Sequence, residues 1–133
     1  MGDLLKFSIP GKPEYVRVVR LAVSSAANCA GFDMDAIEDI KVAVSEACTN
    51  VVRHGGRDEN CYEVECTIEA DKFIILVTDA CGGYNTEEYR EPTLCELKEG
   101  GLGIFIIKAL MDEVNIFSKL GEGTRIQMIK YIV

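Results

Sequence analysis

From Ile40 to Gly55 the chain reads I-K-V-A-V-S-E-A-C-T-N-V-V-R-H-G. Together with Ile37, its residues Ile40, Val44, Ala47, Cys48 and Val51 form one apolar stripe at roughly 3.6 residues per turn, which predicts an amphipathic helix. Glu46, Asn50 and His54 follow at i, i+4 and i+8, a polar row along that helix's flank. Upstream, Leu4–Ile9 is a short apolar run that stops at Pro10 and predicts a strand. Tyr15, Val18, Val19, Ala22, Val23 and Ala26 then recur at helical spacing, predicting a helix from Pro13 to about Ala30 with Gly31 as its stop. Asp33 and Asp35 supply an N-cap and first-turn charge for the second helix, and Gly55-Gly56 ends it.

Beyond Gly56 the period changes to two. Tyr62, Val64, Cys66 and Ile68 alternate with polar neighbours, and Phe73–Thr78 is a continuous β-rich run. Ala70-Asp71-Lys72 joins the two as an antiparallel hairpin. The polar segment 84–100 has Pro92 and few apolar anchors, and a connection of that length usually serves as a lid or binding loop. Leu102–Met111 predicts a third helix. Glu113–Ser118 and Thr124–Val133 alternate again around Gly121-Glu122-Gly123, a second hairpin. The expected fold is therefore an α+β two-layer sandwich. It has a mixed, mostly antiparallel sheet with three helices on one face.

Length and charge narrow the class. A chain of 133 residues suits a single domain, 1–133, able to bury a core without staples. Its net charge of −8, with no Lys/Arg run, would repel a phosphate backbone, so neither nucleic acid nor an anionic membrane is an expected partner. The six cysteines include no C-x-x-C pair, and a single His does not supply the usual Cys/His zinc spacings. The first residues lack a signal peptide's basic start and apolar core, and no apolar run approaches 18 residues. The expectation is a reduced, cytoplasmic protein.

Four polar features fall at the ends of elements. They are the Glu46/Asn50/His54 row, Asp79 with Cys81-Gly82-Gly83, the Gly-Gly-Leu-Gly at 100–103, and Gly121-x-Gly123-Thr124. Each has an ordinary explanation: a solvated helix flank, a turn-forming Asp, a loop-to-helix junction and a hairpin turn. Each can also carry chemistry. Glycines let a ligand approach the backbone, and a helix start offers free N–H groups to phosphate.

Jointly and in this order, the four features resemble the N-box, G1 box, G2 box and final Gly-x-Gly-Thr of the gyrase, heat-shock chaperone, histidine-kinase and MutL ATPases (the Bergerat fold). S-E-A-C-T-N-V-V-R-H-G, L-V-T-D-A-C-G-G, G-G-L-G-I-F-I-I-K-A-L-M-D-E-V and G-E-G-T further resemble the small bacterial anti-sigma factor serine kinases of sporulation and general stress response. That resemblance runs from about Leu4 to the C-terminus.

The resemblance implies ATP or ADP with Mg²⁺ as cofactors. Asn50 would ligate Mg²⁺ through its side-chain oxygen, and Glu46 would be the general base for an attacking hydroxyl. Asp79 would accept a hydrogen bond from the adenine amino group, with Thr124 supporting it from the neighbouring strand. Gly83 and the turn Gly101, Leu102, Gly103 would bring backbone N–H groups to the nucleotide, and 84–100 would be the ATP lid. The implied partners are a STAS-type anti-anti-sigma protein as phosphoryl acceptor, a sigma factor to sequester, and a second copy of the chain. That homodimer would form through the N-terminal strand and helix on the sheet's uncovered side.

Two positions depart from the family pattern: Cys81 replaces its first G1 glycine, and Glu99 its basic residue before the G2 glycines. They favour an alternative, a nucleotide-binding switch that sequesters a partner without phosphotransfer. A detached catalytic domain of a histidine kinase would need a phosphoacceptor hairpin for which 133 residues leave no room. His54 matches a family position, and a His at a helix C-terminus also serves simply as a charge against the dipole.

Overall fold

The period-two segments become strands and the period-3.6 segments become helices in a computed structural model describing residues 2–55, 61–79, 102–119 and 123–132. In chain order these are β1 (Asp3–Pro10), a 3₁₀ turn (Pro13–Tyr15), α1 (Val16–Ala30), α2 (Met34–Gly55), β2 (Cys61–Ile68), β3 (Lys72–Asp79), α3 (Leu102–Leu110), β4 (Glu113–Lys119) and β5 (Gly123–Tyr131). The expected lid 84–100, the C-G-G at 81–83 and Gly121-Glu122 lie outside the described residues.

Local chemistry accounts for the helix ends. Gly31 adopts φ 99°, a left-handed conformation that glycine takes without a Cβ penalty, and its N–H donates to the carbonyl of Asn28 at 3.1 Å. Two residues later the Asp33 carboxylate accepts the backbone N–H of Ala36 at 2.9 Å, the expected N-cap of α2. At the far end of the fold, Lys130 Nζ donates to the carbonyl of Leu110 at 2.7 Å, a cation satisfying the C-terminus of α3.

The sheet runs in the order β1-β2-β3-β5-β4, and every described pairing is antiparallel. It therefore lies at the antiparallel end of what the sequence suggests. The α1–α2 connection joins the antiparallel neighbours β1 and β2, whereas the connection through α3 leaves β3 and β4 parallel with β5 between them. β2 lies between β1 and β3, and β5 folds back between β3 and β4. The M-D-E-V segment finds its use here. Met111 is buried, the Asp112 carboxylate accepts the N–H of Tyr131 at 2.7 Å, and the Glu113 carboxylate accepts the Tyr131 hydroxyl. These bonds fasten the α3–β4 corner to the end of β5.

One core joins the layers. Val19, Val23, Ala26 and Ala27 of α1, and Ile40, Ala43, Val44, Ala47, Cys48 and Val51 of α2, bury against Tyr62, Val64, Cys66, Phe73, Ile75, Val77, Ile126 and Met128. Those strand residues share one sheet face by their alternation, while Glu63, Glu65, Leu76 and Arg125 occupy the other. Phe32, just after α1, meets Phe73 edge-to-face with ring centroids 5.9 Å apart. No helix of the described residues is long and apolar enough to cross a membrane.

Candidate functional site

The buried stripe of α2 decides where its polar row points. With Ala43, Ala47, Cys48 and Val51 packed into the core, Glu46 and Asn50 lie half-buried at the stripe's edge, whereas Val42 and Thr49 face out. The two polar side chains are one turn apart on one flank, as the spacing predicts. α2 packs against α3, and the second residue of α3 is Gly103. A Cβ at Gly103 would stand 2.8 Å from Oε2 of Glu46, so the carboxylate fills the space beside that glycine. The structure thus brings together the Glu46 carboxylate and the first turn of α3, with Glu46 and Gly103 57 residues apart in sequence. Leu102, by contrast, is exposed.

The other half of the site belongs to the sheet. Asp79 ends β3 on the same face as Phe73, Ile75 and Val77, and is only 5% exposed. Thr78 pairs with Arg125, so Asp79 and Thr124 stand one rung beyond on adjacent strands, and Thr124 is also buried. On its other side Asp79 pairs directly with Tyr62 of β2. The end of the sheet therefore carries the row Tyr62, Asp79, Thr124 towards the helices.

Tyr62 is the residue that sequence reasoning did not single out. Its alternation marked it only as a core position, which it is, fully buried. Among the described residues its hydroxyl has no well-formed hydrogen bond, and its polar neighbour is the Cys48 thiol. Burial pushes the Cys48 thiol up to about 12 and raises the Tyr62 phenol further still, so both stay neutral. Cys48 lies between Glu46 and Asn50 on α2. The Tyr62–Cys48 contact therefore links the rung holding Asp79 to the helical turn holding the polar row. The pairing of Tyr62 opposite Asp79 is a matter of register, which one strand's pattern does not reveal.

Gly83, Gly101 and the side chain of His54 lie outside the described residues, as do Cys81 and Glu99. Of the sequence-predicted site residues, Glu46, Asn50, Leu102, Gly103, Asp79 and Thr124 lie among the described residues.

The family model of the histidine kinase-like ATPase domain matches residues 9–130. The serine-protein kinase RsbW of Bacillus velezensis is 38% identical over 140 aligned positions, covering 98% of this chain and 86% of the relative. The proteins of that name from Oceanobacillus iheyensis and Listeria monocytogenes are 40% and 39% identical, covering 98% and 99% of this chain and 87% and 89% of theirs. Among solved structures, that of the RsbU and RsbW domains of Rv1364c from Mycobacterium tuberculosis superposes with a TM-score of 0.72. At 20% identity that likeness is one of fold; it covers 96% of this chain, which spans 31% of that longer protein. The chain belongs to the histidine kinase-like ATPase family, and within it to the RsbW-type serine-protein kinases.

Proposed function

We propose that the chain is an anti-sigma factor that binds ATP, transfers its γ-phosphoryl group to a serine of a STAS-type anti-anti-sigma protein, and sequesters a sigma factor. The observation that carries this reading is the Glu46 carboxylate, held beside Gly103 at the start of α3 and one helical turn from Asn50. Glu46 takes the proton of the attacking serine hydroxyl as the serine oxygen bonds to the γ-phosphorus. The bond from that phosphorus to the β–γ bridging oxygen breaks, and ADP leaves. Little covalent chemistry falls to the protein, so positioning and charge neutralisation carry most of the acceleration.

Asp79 accepts the adenine amino group, and guanine, which presents a carbonyl oxygen there, is penalised. Thr124, the inward-facing neighbour on β5, supports the base and Asp79. Gly83 and the turn Gly101, Leu102, Gly103 supply backbone N–H groups to the nucleotide, and segment 84–100 closes over it.

The donor set suits a Mg²⁺ that arrives with the nucleotide. Among the described residues no group of three His, Cys, Asp or Glu could hold a metal ion. One amide oxygen, from Asn50, added to triphosphate oxygens and water satisfies an ion that wants hard oxygen ligands at about 2.1 Å. When bound, the ion neutralises phosphate charge during transfer.

Exposed Leu4 and Leu5 on β1 with Tyr15, Val18 and Leu21 around α1 support a homodimer through that part of the molecule. A cytoplasmic location agrees with a sigma factor as partner. The test is incubation with labelled ATP–Mg²⁺ and each STAS-domain protein of the same genome. Label on a partner serine that vanishes in Glu46→Ala supports the kinase. Tight nucleotide binding without transfer to any of them would leave the nucleotide switch that Cys81 and Glu99 favour.

A further inference from the structure

Gly103 occupies a place where glycine is a poor choice on local grounds. It is the second residue of α3, a helical position that alanine fills at least as well as glycine. Nor does its backbone demand it, because Gly31 alone among the described residues takes a positive φ. What would be lost with a side chain is the space beside it. A Cβ there would approach Oε2 of Glu46 to 2.8 Å, and Cβ and Cδ of the same residue to 3.7 and 3.8 Å. All three of these nearest atoms belong to Glu46, and the closest is the end of a flexible side chain.

We infer that Gly103 is a positioning residue for Glu46: its bare Cα leaves the slot in which the carboxylate is held, so the first turn of α3 sets the direction of the base. The inference rests on the proposed role of Glu46 in taking the serine proton. It adds to whatever the Gly103 N–H does for the nucleotide, since every residue but proline keeps that group. A carboxylate on an open helix flank would sample several rotamers, and confinement against Gly103 removes most of them before substrate arrives.

The test is Gly103→Ala, in which stability and rate should move in opposite directions. The added methyl meets only a movable carboxylate, so the melting temperature should hold or rise. The carboxylate swings aside, and kcat for transfer to the STAS protein should fall at least about tenfold while KM for ATP changes little. Placing Glu46→Asp in the same chain withdraws the carboxylate from the methyl. The double variant should then be no slower than Glu46→Asp alone, a non-additive cycle that a merely structural glycine would not produce.

A lower melting temperature, an unchanged kcat, a loss confined to KM for ATP, or losses that simply multiply would each overturn the inference. Transfer at the unaltered rate by Glu46→Gln would instead overturn the base assignment. An unaltered chain that labels no STAS-domain protein of its genome would overturn the proposed function, and this inference with it.

Discussion

Glu46 and Asp79 are carboxylates bordering one core, yet they are held in different ways. Glu46 is half-buried on α2, and what confines it is the close approach of a second helix at Gly103. Asp79 is 5% exposed at the end of a central strand, and what places it is register, with Tyr62 opposite on β2 and Thr124 beside it on β5. The helix-borne half can be reshaped by moving one side chain. The sheet-borne half cannot move without sliding a strand, which would turn its buried row outward. On the proposed reading this division suits a kinase, whose adenine site would discriminate while its base would meet an incoming protein.

The largest break in the comparison should come from Glu46→Ala. Loss of a general base costs about 10²–10⁴-fold in rate, and the unfolding free energy from urea melts should stay within about 0.5 kcal/mol of the parent because the residue is not core. Labelled-phosphate transfer and denaturant melts together check this. A large loss of stability would show Glu46 to be a packing residue.

Asp79→Asn probes the other half. It should weaken ADP binding by about 1–3 kcal/mol, roughly 5- to 150-fold, and narrow the preference for adenine over guanine. Titration with a fluorescent nucleotide reads both effects, and unchanged affinity removes Asp79 from the adenine site.

Alkali tests the joint between the halves. Cys48 and Cys66 titrate near 9.0 when exposed and are pushed up to about 12 by burial. Between those values the unfolded chain has lost protons that the folded chain keeps. Stability should therefore be level below pH 9 and fall as pH rises towards 12, by roughly 1 kcal/mol per pH unit per thiol. Cys48→Ala should flatten part of that slope in urea melts taken from pH 8 to 11; a slope untouched by both Cys48→Ala and Cys66→Ala would assign it to other groups.

The smallest effect belongs to Tyr62→Phe. Removing a buried hydroxyl without a good hydrogen bond should leave stability unchanged or raise it by up to about 1 kcal/mol, with nucleotide affinity intact because the ring still spans from β2 to α2. A clear loss of stability would mean that the hydroxyl's contact with Cys48 is a stronger bond than its geometry suggests.

Much of the fold was legible in the chain. The α2 stripe, the Gly31 stop, the Asp33 cap and both hairpins stand within a residue or two of where periodicity and turn chemistry put them, because these are local properties. Helical spacing also suffices to put Glu46 and Asn50 on one flank. The meaning of that flank was not legible from its own residues, since a solvated edge has the same pattern.

Tertiary structure alone decided the rest. Strand order placed β5 between β3 and β4, and so brought Thr124 beside Asp79 across 44 intervening residues. Register set Tyr62 opposite Asp79, and the packing of α3 on α2 gave Gly103 its neighbour. The physical reason is the range of the forces involved. Capping, turn and amphipathic preferences act over a few residues and are written in the local sequence. Which strand lies beside which, and how closely two helices approach, depends on how the whole core closes, and no short stretch contains that information.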